Sequence, residues 1–172
     1  GYLAAHPSRS YTLKRVADAL PAFLAERGVP PMWLDMVRVD RAVMDGFEAA
    51  EGSTLRPEQL AITPRLRLQP HVTLLRIAHD VHVYRSSVVS DEARPEVSQR
   101  PVCLVVFRRG LKMRHLEVHP SCFAVLEAIG SGAALGDALS RAVTAGADPA
   151  VLQERLGDWF RMFAERDLVE AT

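Results

Sequence analysis

Histidine and cysteine are the residues of this chain whose side chains could bind a metal ion or act as a nucleophile. The chain has six histidines and two cysteines. Only His79 and His82 are close in sequence, and the alternating pattern Val81-His-Val-Tyr84 predicts a strand that places them on opposite faces. The sequence contains no glycine-rich phosphate loop, serine nucleophile elbow or His-Glu-x-x-His zinc motif. We therefore predict a protein that is not an enzyme and needs no metal or cofactor.

The two cysteines favour a structural role. Cys103 lies in an apolar run and Cys122 at the start of an apolar helix pattern, so we interpret both as buried thiols in a reducing cytosol. No apolar stretch is long enough to span a membrane and no signal peptide is present, which predicts a cytoplasmic protein. The opening residues, Gly1 to Ala5, look like the middle of a helix, and we expect the native chain to begin upstream.

The most distinctive polar cluster is a basic hairpin. An apolar run, Pro101–Phe107, precedes Arg108-Arg-Gly110, whose glycine suits a tight turn, and a second strand follows over Leu111–Leu116. The alternation in the second strand sends its residues to two faces, with Leu111, Met113 and His115 on one and Lys112, Arg114 on the other.

Three interpretations of this hairpin stay open. A positively charged edge strand is a common protection against aggregation. Alternatively, Arg108 and Arg109 could lie on nucleic-acid phosphates in the manner of a wing. In the third interpretation, Leu111–Leu116 accepts an added strand from a partly acidic peptide.

Three short amphipathic helices are predicted after the hairpin. Pro120 opens the first, which Gly130-Ser-Gly132 ends, and the second runs from Ala134 to about Val143. Asp148 is a good N-cap for the third, whose apolar positions repeat from Leu152 to Phe163. Its polar positions mix both charges and are slightly acidic: Glu154, Arg155, Asp158, Arg161, Glu165 and Asp167.

The remaining pattern divides the chain into a helical segment over residues 1–50, a linker over 51–64 and a domain over 65–172. In the helical segment one stripe carries Trp33, Met36, Val37, Val43, Met44 and Phe47. Asp40 falls inside that stripe, so we expect a buried or half-buried carboxylate that meets an arginine, backbone N–H groups or a partner. Strands are predicted at Arg65–Leu68, Val72–Leu75 and Val81–Tyr84, followed by a polar loop from Ser86 to Arg100.

These elements predict an α+β fold: an N-terminal helical segment, a small antiparallel sheet and a three-helix, winged-helix-like C-terminal domain. Lysine plus arginine and aspartate plus glutamate both number 21, so the formal net charge is zero. Because DNA-binding domains draw most of their affinity from basic residues on phosphates, this balance disfavours DNA and favours a peptide partner.

Several segments resemble one family. Tyr2-Leu-Ala-Ala-His-Pro-Ser-Arg-Ser10, Pro21–Leu24, the helix Leu34–Phe47 and the strand run Arg65–Leu75 are similar to the HvfC/BufC-type proteins, which were described as DNA-binding domains on fold grounds. The C-terminal part also resembles the PqqD-type peptide-recognition element. Members of the first family usually carry further helices before the segment that matches Tyr2, and tend to have Glu where Asp40 stands.

The resemblance implies a non-catalytic partner of a TIM-barrel, multinuclear non-haem iron enzyme that modifies ribosomally made peptides. The implied task is to recognise the leader of the precursor peptide. By similarity to the PqqD-type element, the leader would add as a strand along Leu111–Leu116 and pack against the helix that contains Leu152–Phe163. A winged-helix DNA-binding regulator is the alternative. Asp40 is implied to serve packing or partner contact.

Overall fold

A computed structural model describes residues 1–7, 17–60 and 65–172 of the chain. Residues 8–16 of the predicted helical segment and 61–64 of the predicted linker lie outside this range. The described chain is an α+β protein, as the sequence predicts. Its elements are α1 (Tyr2–Ala5), α2 (Leu20–Glu26), α3 (Pro31–Glu48), α4 (Pro57–Leu60), β1 (Leu66–Leu68), β2 (Thr73–His79), α5 (Val81–Val89), β3 (Gln99–Arg109), β4 (Lys112–Glu117), α6 (Pro120–Gly130), α7 (Leu135–Thr144), α8 (Pro149–Glu165) and β5 (Val169–Ala171).

The strands form two small sheets. β2, β3 and β4 make a three-stranded sheet in that order, and β1 pairs with β5. β3 and β4 are the predicted hairpin, antiparallel with Arg109 opposite Lys112 and Leu104 opposite Glu117. In the second sheet Leu66 lies opposite Ala171 and Leu68 opposite Val169. The β1–β5 pairing joins residues about a hundred positions apart, which no local pattern predicts.

The chain divides into two compact units. Unit 1 consists of residues 1–45 and 75–102, and unit 2 of residues 46–74 and 103–172. Both units are discontinuous in sequence. The predicted division at 51 and 65 follows composition and periodicity alone, and it stays a prediction.

Unit 2 is built around α6. Almost every side chain of this helix is buried, including Phe123, Leu126 and Ile129. Val105 and Phe107 of β3 and Leu152, Trp159 and Phe163 of α8 belong to the same hydrophobic core. A helix that is apolar on all sides must be covered on all sides, and α6 takes the central position for that reason.

The ends of α6 and α8 confirm the sequence signals. The ring of His119 accepts a hydrogen bond from the Ser121 amide at 3.2 Å, and Pro120 occupies the first helical position. The carboxylate of Asp148 accepts the Ala150 amide at 2.8 Å, which caps α8 as predicted. Gly132 has a φ of 77°, a conformation that favours glycine and follows the end of α6.

In unit 1, α3 is a helix as predicted but buries a different face. Its buried residues in this unit are Asp35, Val39 and Ala42, while the predicted stripe leaves Trp33, Met44 and Phe47 exposed. The prediction that Asp40 is buried or half-buried is wrong, because 53% of its side chain is exposed. α3 has more apolar residues than one face of a helix can bury. The apolar pattern therefore predicts the helix, but not which of its faces is buried.

The strand predicted at Val81–Tyr84 is wrong. These residues open α5, in which Val81, His82 and Ser87 are buried. Four residues are too few for alternation to distinguish a strand from a helical turn. The predicted loop from Ser86 to Arg100 shortens accordingly, since α5 continues to Val89 and β3 begins at Gln99.

None of the helices within the described residues has the length and apolar character that crossing a lipid bilayer requires.

Candidate functional site

The first candidate surface is β4, which lies at one edge of the three-stranded sheet as far as the chain is described. The hairpin closes through Gly110 and Leu111, with Arg109 and Lys112 opposite each other. Gly110 has a φ of 57°, which a tight two-residue turn needs at its first position. Leu111, predicted as a strand residue, is therefore a turn residue, and its side chain is 89% exposed.

The register sets the direction of the backbone groups along β4. Residues that flank a two-residue hairpin loop exchange hydrogen bonds, and the pattern then alternates along an antiparallel pair. The amide of Val118 donates to the carbonyl of Cys103 at 2.9 Å, in phase with a hydrogen-bonded pair at Arg109 and Lys112. The amide of Met113 consequently faces away from β3, toward the open edge.

From Lys112 to His115 the side chains of β4 alternate as the sequence predicts. Met113, His115 and Leu116 are partly buried, whereas Lys112 and Arg114 are exposed. Together with the exposed Arg109, these two residues place three cations on the hairpin. The candidate strand thus combines an outward amide with positive side chains.

Arg108 is not part of this exposed charge. Only 11% of its side chain is accessible, and Nη1 donates to the carbonyls of Phe47 at 2.6 Å and Gly46 at 3.4 Å. Its Nη2 lies 3.7 Å from a carboxylate oxygen of Glu51. Arginine here binds the last carbonyls of α3, which complements the negative end of the helix.

A second candidate is a cavity of about 140 Å³ within unit 2, partly open to solvent. Its wall is polar and comes from four separate stretches of the chain. The lining residues are Glu51, Gly52, Thr54, Gln69, His71, Arg108, Arg109, Gly110 and Asp167.

Gln69 is 2% exposed, and its two amide atoms differ in their contacts. Nε2 donates to the carbonyl of Ser53 at 2.8 Å. Since a carbonyl can only accept, this bond fixes the orientation of the amide. Oε1 is buried and has no hydrogen-bond partner in the described chain.

Gly52 lies against this oxygen. A Cβ at residue 52 would collide with both the Gln69 amide oxygen and the Glu170 carboxylate, so only glycine fits. The Glu170 carboxylate is satisfied, because Arg67 Nε and the Ser53 amide each donate to it at 2.7 Å. The amide oxygen of Gln69 is the acceptor in this group that lacks a donor.

Two further residues define the electrostatics of the cavity. Asp167 has a φ of 51°, and its Oδ1 is buried without a partner in the described chain. The Arg108 amide donates to Nδ1 of His71 at 3.3 Å. Burial, together with the Arg108 charge, lowers the pKa of His71, so the ring is neutral near pH 7. The cavity therefore offers unsatisfied acceptors beside a neutral ring, with Arg109 exposed at its mouth.

Asp40, a predicted contact residue, belongs to unit 1. Its carboxylate accepts from Arg85 Nε of α5 at 2.7 Å, as expected for a carboxylate that meets an arginine. The buried acid of α3 is Asp35, whose Oδ2 accepts the Ala78 amide at 2.9 Å and lies 2.8 Å from Nδ1 of His79. Asp35 therefore organises unit 1, and Asp40 joins two helices on its surface.

The described residues contain no group of three or more histidine, cysteine, aspartate or glutamate side chains that could hold a metal ion. Cys122 is 1% exposed, and burial raises the pKa of its thiol to about 12. The thiolate that nucleophilic attack requires is therefore suppressed at Cys122.

The sequence pattern indicates the hairpin but not the cavity. Gln69, His71 and Asp167 are separated by up to about a hundred positions and carry no shared motif. The sequence pattern assigns Asp167 to the polar positions of the third helix, but this residue follows the end of α8. The positive φ of Asp167 is a backbone conformation that the neighbouring residues do not predict.

A scan against protein-family models finds no match to this chain, and a search of curated proteins finds no significant relative.

Proposed function

We propose that this protein is a non-catalytic peptide-recognition subunit that takes an extended segment of a precursor peptide as an added strand along β4. In this proposal unit 2 is a winged-helix derivative of the PqqD type, and the bound leader is delivered to a TIM-barrel, multinuclear non-haem iron enzyme. The enzyme and the leader follow from the family resemblance. The strand-addition mode is supported by the edge position, backbone direction and charge of β4.

The observation that carries the proposal is the combination of edge position, outward amide and positive side chains in β4. A strand that joins an edge gains main-chain hydrogen bonds, and alternate side chains provide specificity. Lys112 and Arg114 are exposed, so acidic residues at alternate positions of the peptide would be favoured. The partly buried Met113 and His115 present a more apolar face to the intervening positions.

The charges elsewhere favour a peptide over DNA. The exposed residues of α8 include Glu154, Arg155, Asp158 and Arg161, a mixture that would repel part of a phosphate backbone. Arg108, one of the two arginines that the sequence offers for a phosphate contact, is bound to the end of α3 instead. The exposed cations of unit 2 are thus interspersed with carboxylates and do not form a uniformly basic surface.

Replacement of Met113 by proline tests strand addition. Proline removes the outward amide, so we expect the affinity for a peptide selected on the wild-type protein from a random library to fall about tenfold or more. The control is Met113→Leu, which keeps the amide and nearly the same volume beside Gly46. Fluorescence anisotropy measures both affinities, and circular dichroism checks that both variants fold.

A second measurement leaves the protein unchanged. N-methylation of the selected peptide, one residue at a time, should abolish binding at every second position, because alternate amides of an added strand face β4. Equal affinity of the proline and leucine variants, or loss of binding without alternation, would contradict strand addition. Failure of the library to yield any binder would contradict peptide recognition itself, and enrichment of a specific duplex from random DNA would favour the regulator.

A further inference from the structure

The cavity of unit 2 holds acceptors that the fold does not use. Oε1 of Gln69 is fixed by the bond from Nε2 to Ser53, and Oδ1 of Asp167 is buried as well. Buried polar atoms are nearly always paired in native proteins, so two such acceptors in the wall of one cavity demand a donor. Oε1 of Gln69 in particular needs a hydrogen-bond donor, since the neighbouring Glu170 carboxylate is also an acceptor.

The charges of the wall restrict what that donor can belong to. A simple anion would face the Asp167 carboxylate and the Gln69 oxygen, which is unfavourable. A simple cation would face Arg109, whose side chain is exposed and has no hydrogen-bond or ion-pair partner in the described chain, and Arg108 beside it. A molecule that carries both a positive and a negative group can pair with the acceptors of Asp167 and Gln69 and with Arg109 at the same time.

The geometry points to a binding site for a small zwitterion, with its ammonium group donating to Asp167 and Gln69 and its carboxylate meeting Arg109. This site includes no residue of β4 itself and goes beyond the proposed peptide-binding function. His71 contributes a ring to the cavity wall whose Nδ1 is already occupied, since it accepts from the Arg108 amide.

The size of the cavity selects the smallest members of this class. An engineered cavity of about 150 Å³ in another protein accepts benzene, which has roughly six heavy atoms. The present cavity, at about 140 Å³, therefore suits an α-amino acid of the size of glycine or alanine.

The test uses the full chain and three kinds of probe. Isothermal titration calorimetry with glycine and L-alanine is compared with acetate, which lacks the ammonium, and with methylammonium, which lacks the carboxylate. We expect both amino acids to bind about tenfold or more tightly than either fragment, because each fragment leaves one side of the cavity unpaired.

Two variants separate the two ends of the ligand. Asp167→Asn removes the carboxylate while keeping a residue that tolerates positive φ, and it should weaken glycine about tenfold or more and methylammonium as well. Arg109→Gln should weaken glycine, whereas methylammonium, which loses the repulsion from this arginine, should bind at least as tightly as before. The matched controls are Asp158→Asn and Arg161→Gln on α8, which form an exposed pair and should leave every affinity unchanged.

Folding does not obscure the result, since the side chains of Asp167 and Arg109 make no hydrogen bond within the described chain that the fold would lose. Amino acids that bind no more tightly than acetate or methylammonium would overturn the assignment. So would an unchanged glycine affinity in Asp167→Asn. Absence of binding by every probe would show that the cavity holds water only, and would overturn it equally.

Discussion

His71 is a buried base whose charge the fold disfavours. The ring is 5% exposed, and burial followed by the Arg108 charge lowers its pKa. A base with a lowered folded-state pKa binds its proton mainly in the unfolded chain, so stability is complete above the unfolded pKa of about 6.5 and falls as the pH drops below it. The decline is limited to about 1.4 kcal/mol per pH unit, the value for one proton.

We predict that His71→Asn removes this part of the pH dependence. The amide oxygen of asparagine can accept from the Arg108 amide as Nδ1 does, but it does not titrate. Urea unfolding of both proteins between about pH 7.5 and pH 5 measures the difference, which should grow as the pH falls below about 6.5. Parallel stability curves for the two proteins would contradict the prediction.

Arg108 and Asp40 show what local sequence can establish about a residue. The sequence placed Arg108 correctly in a basic hairpin, and an arginine is one of the three kinds of partner that it predicted for Asp40. It could not reveal that Arg108 turns toward carbonyls at Gly46 and Phe47, about sixty positions away. Such contacts depend on tertiary packing. The cavity residues are also brought together by tertiary packing, so the sequence pattern does not reveal them.

At the scale of elements, α3 offers a comparison between two aspartates on one helix. Asp35 is buried and accepts from the Ala78 amide, whereas Asp40 is exposed beside Arg85. Asp35→Ala removes a buried carboxylate that accepts from the Ala78 amide and lies 2.8 Å from Nδ1 of His79, and we predict a loss of about 1–3 kcal/mol in the free energy of unfolding. Asp40→Ala removes an exposed ion pair and should cost less than about 1 kcal/mol.

Chemical denaturation of the two variants, with the wild type as reference, measures both values. The larger loss is expected for Asp35→Ala, in agreement with the observed inner face of α3. A larger loss for Asp40→Ala would mean that the apolar stripe of the sequence, and not the observed inner face, is the buried side of α3.

The elements that the sequence predicted well are those with strong end signals. α6 and α8 begin at a capping residue followed by proline, and the hairpin turns at Gly110, so local chemistry located their ends. α5 has no comparable signal: Asp80, at its N-cap position, binds Ser98 through both carboxylate oxygens and makes no capping bond. Tertiary packing, and not a local capping bond, therefore determines that Val81–Tyr84 is helical.

For the whole molecule, the charge balance supports the proposal of a peptide partner over DNA. The chain carries 21 residues of each charge, and the mixture extends to the exposed side of α8. A wing-like contact with nucleic acid would use the hairpin, where Arg109, Lys112 and Arg114 are the exposed cations. Three phosphate contacts are few compared with the number that dedicated DNA-binding proteins make.

This small number gives a prediction for the salt dependence of binding. Neutralisation of three phosphates implies a slope of about −2.7 for the logarithm of affinity against the logarithm of salt concentration, or about 40-fold between roughly 50 and 200 mM salt. A short peptide carries no condensed counterions, so its affinity should fall less than about threefold over the same range, by screening alone. Fluorescence anisotropy with the selected peptide and with random-sequence duplex measures both slopes. A duplex that binds more tightly than the peptide at about 200 mM salt would reverse the preference for a peptide partner, because screening at that concentration removes most of the non-specific attraction.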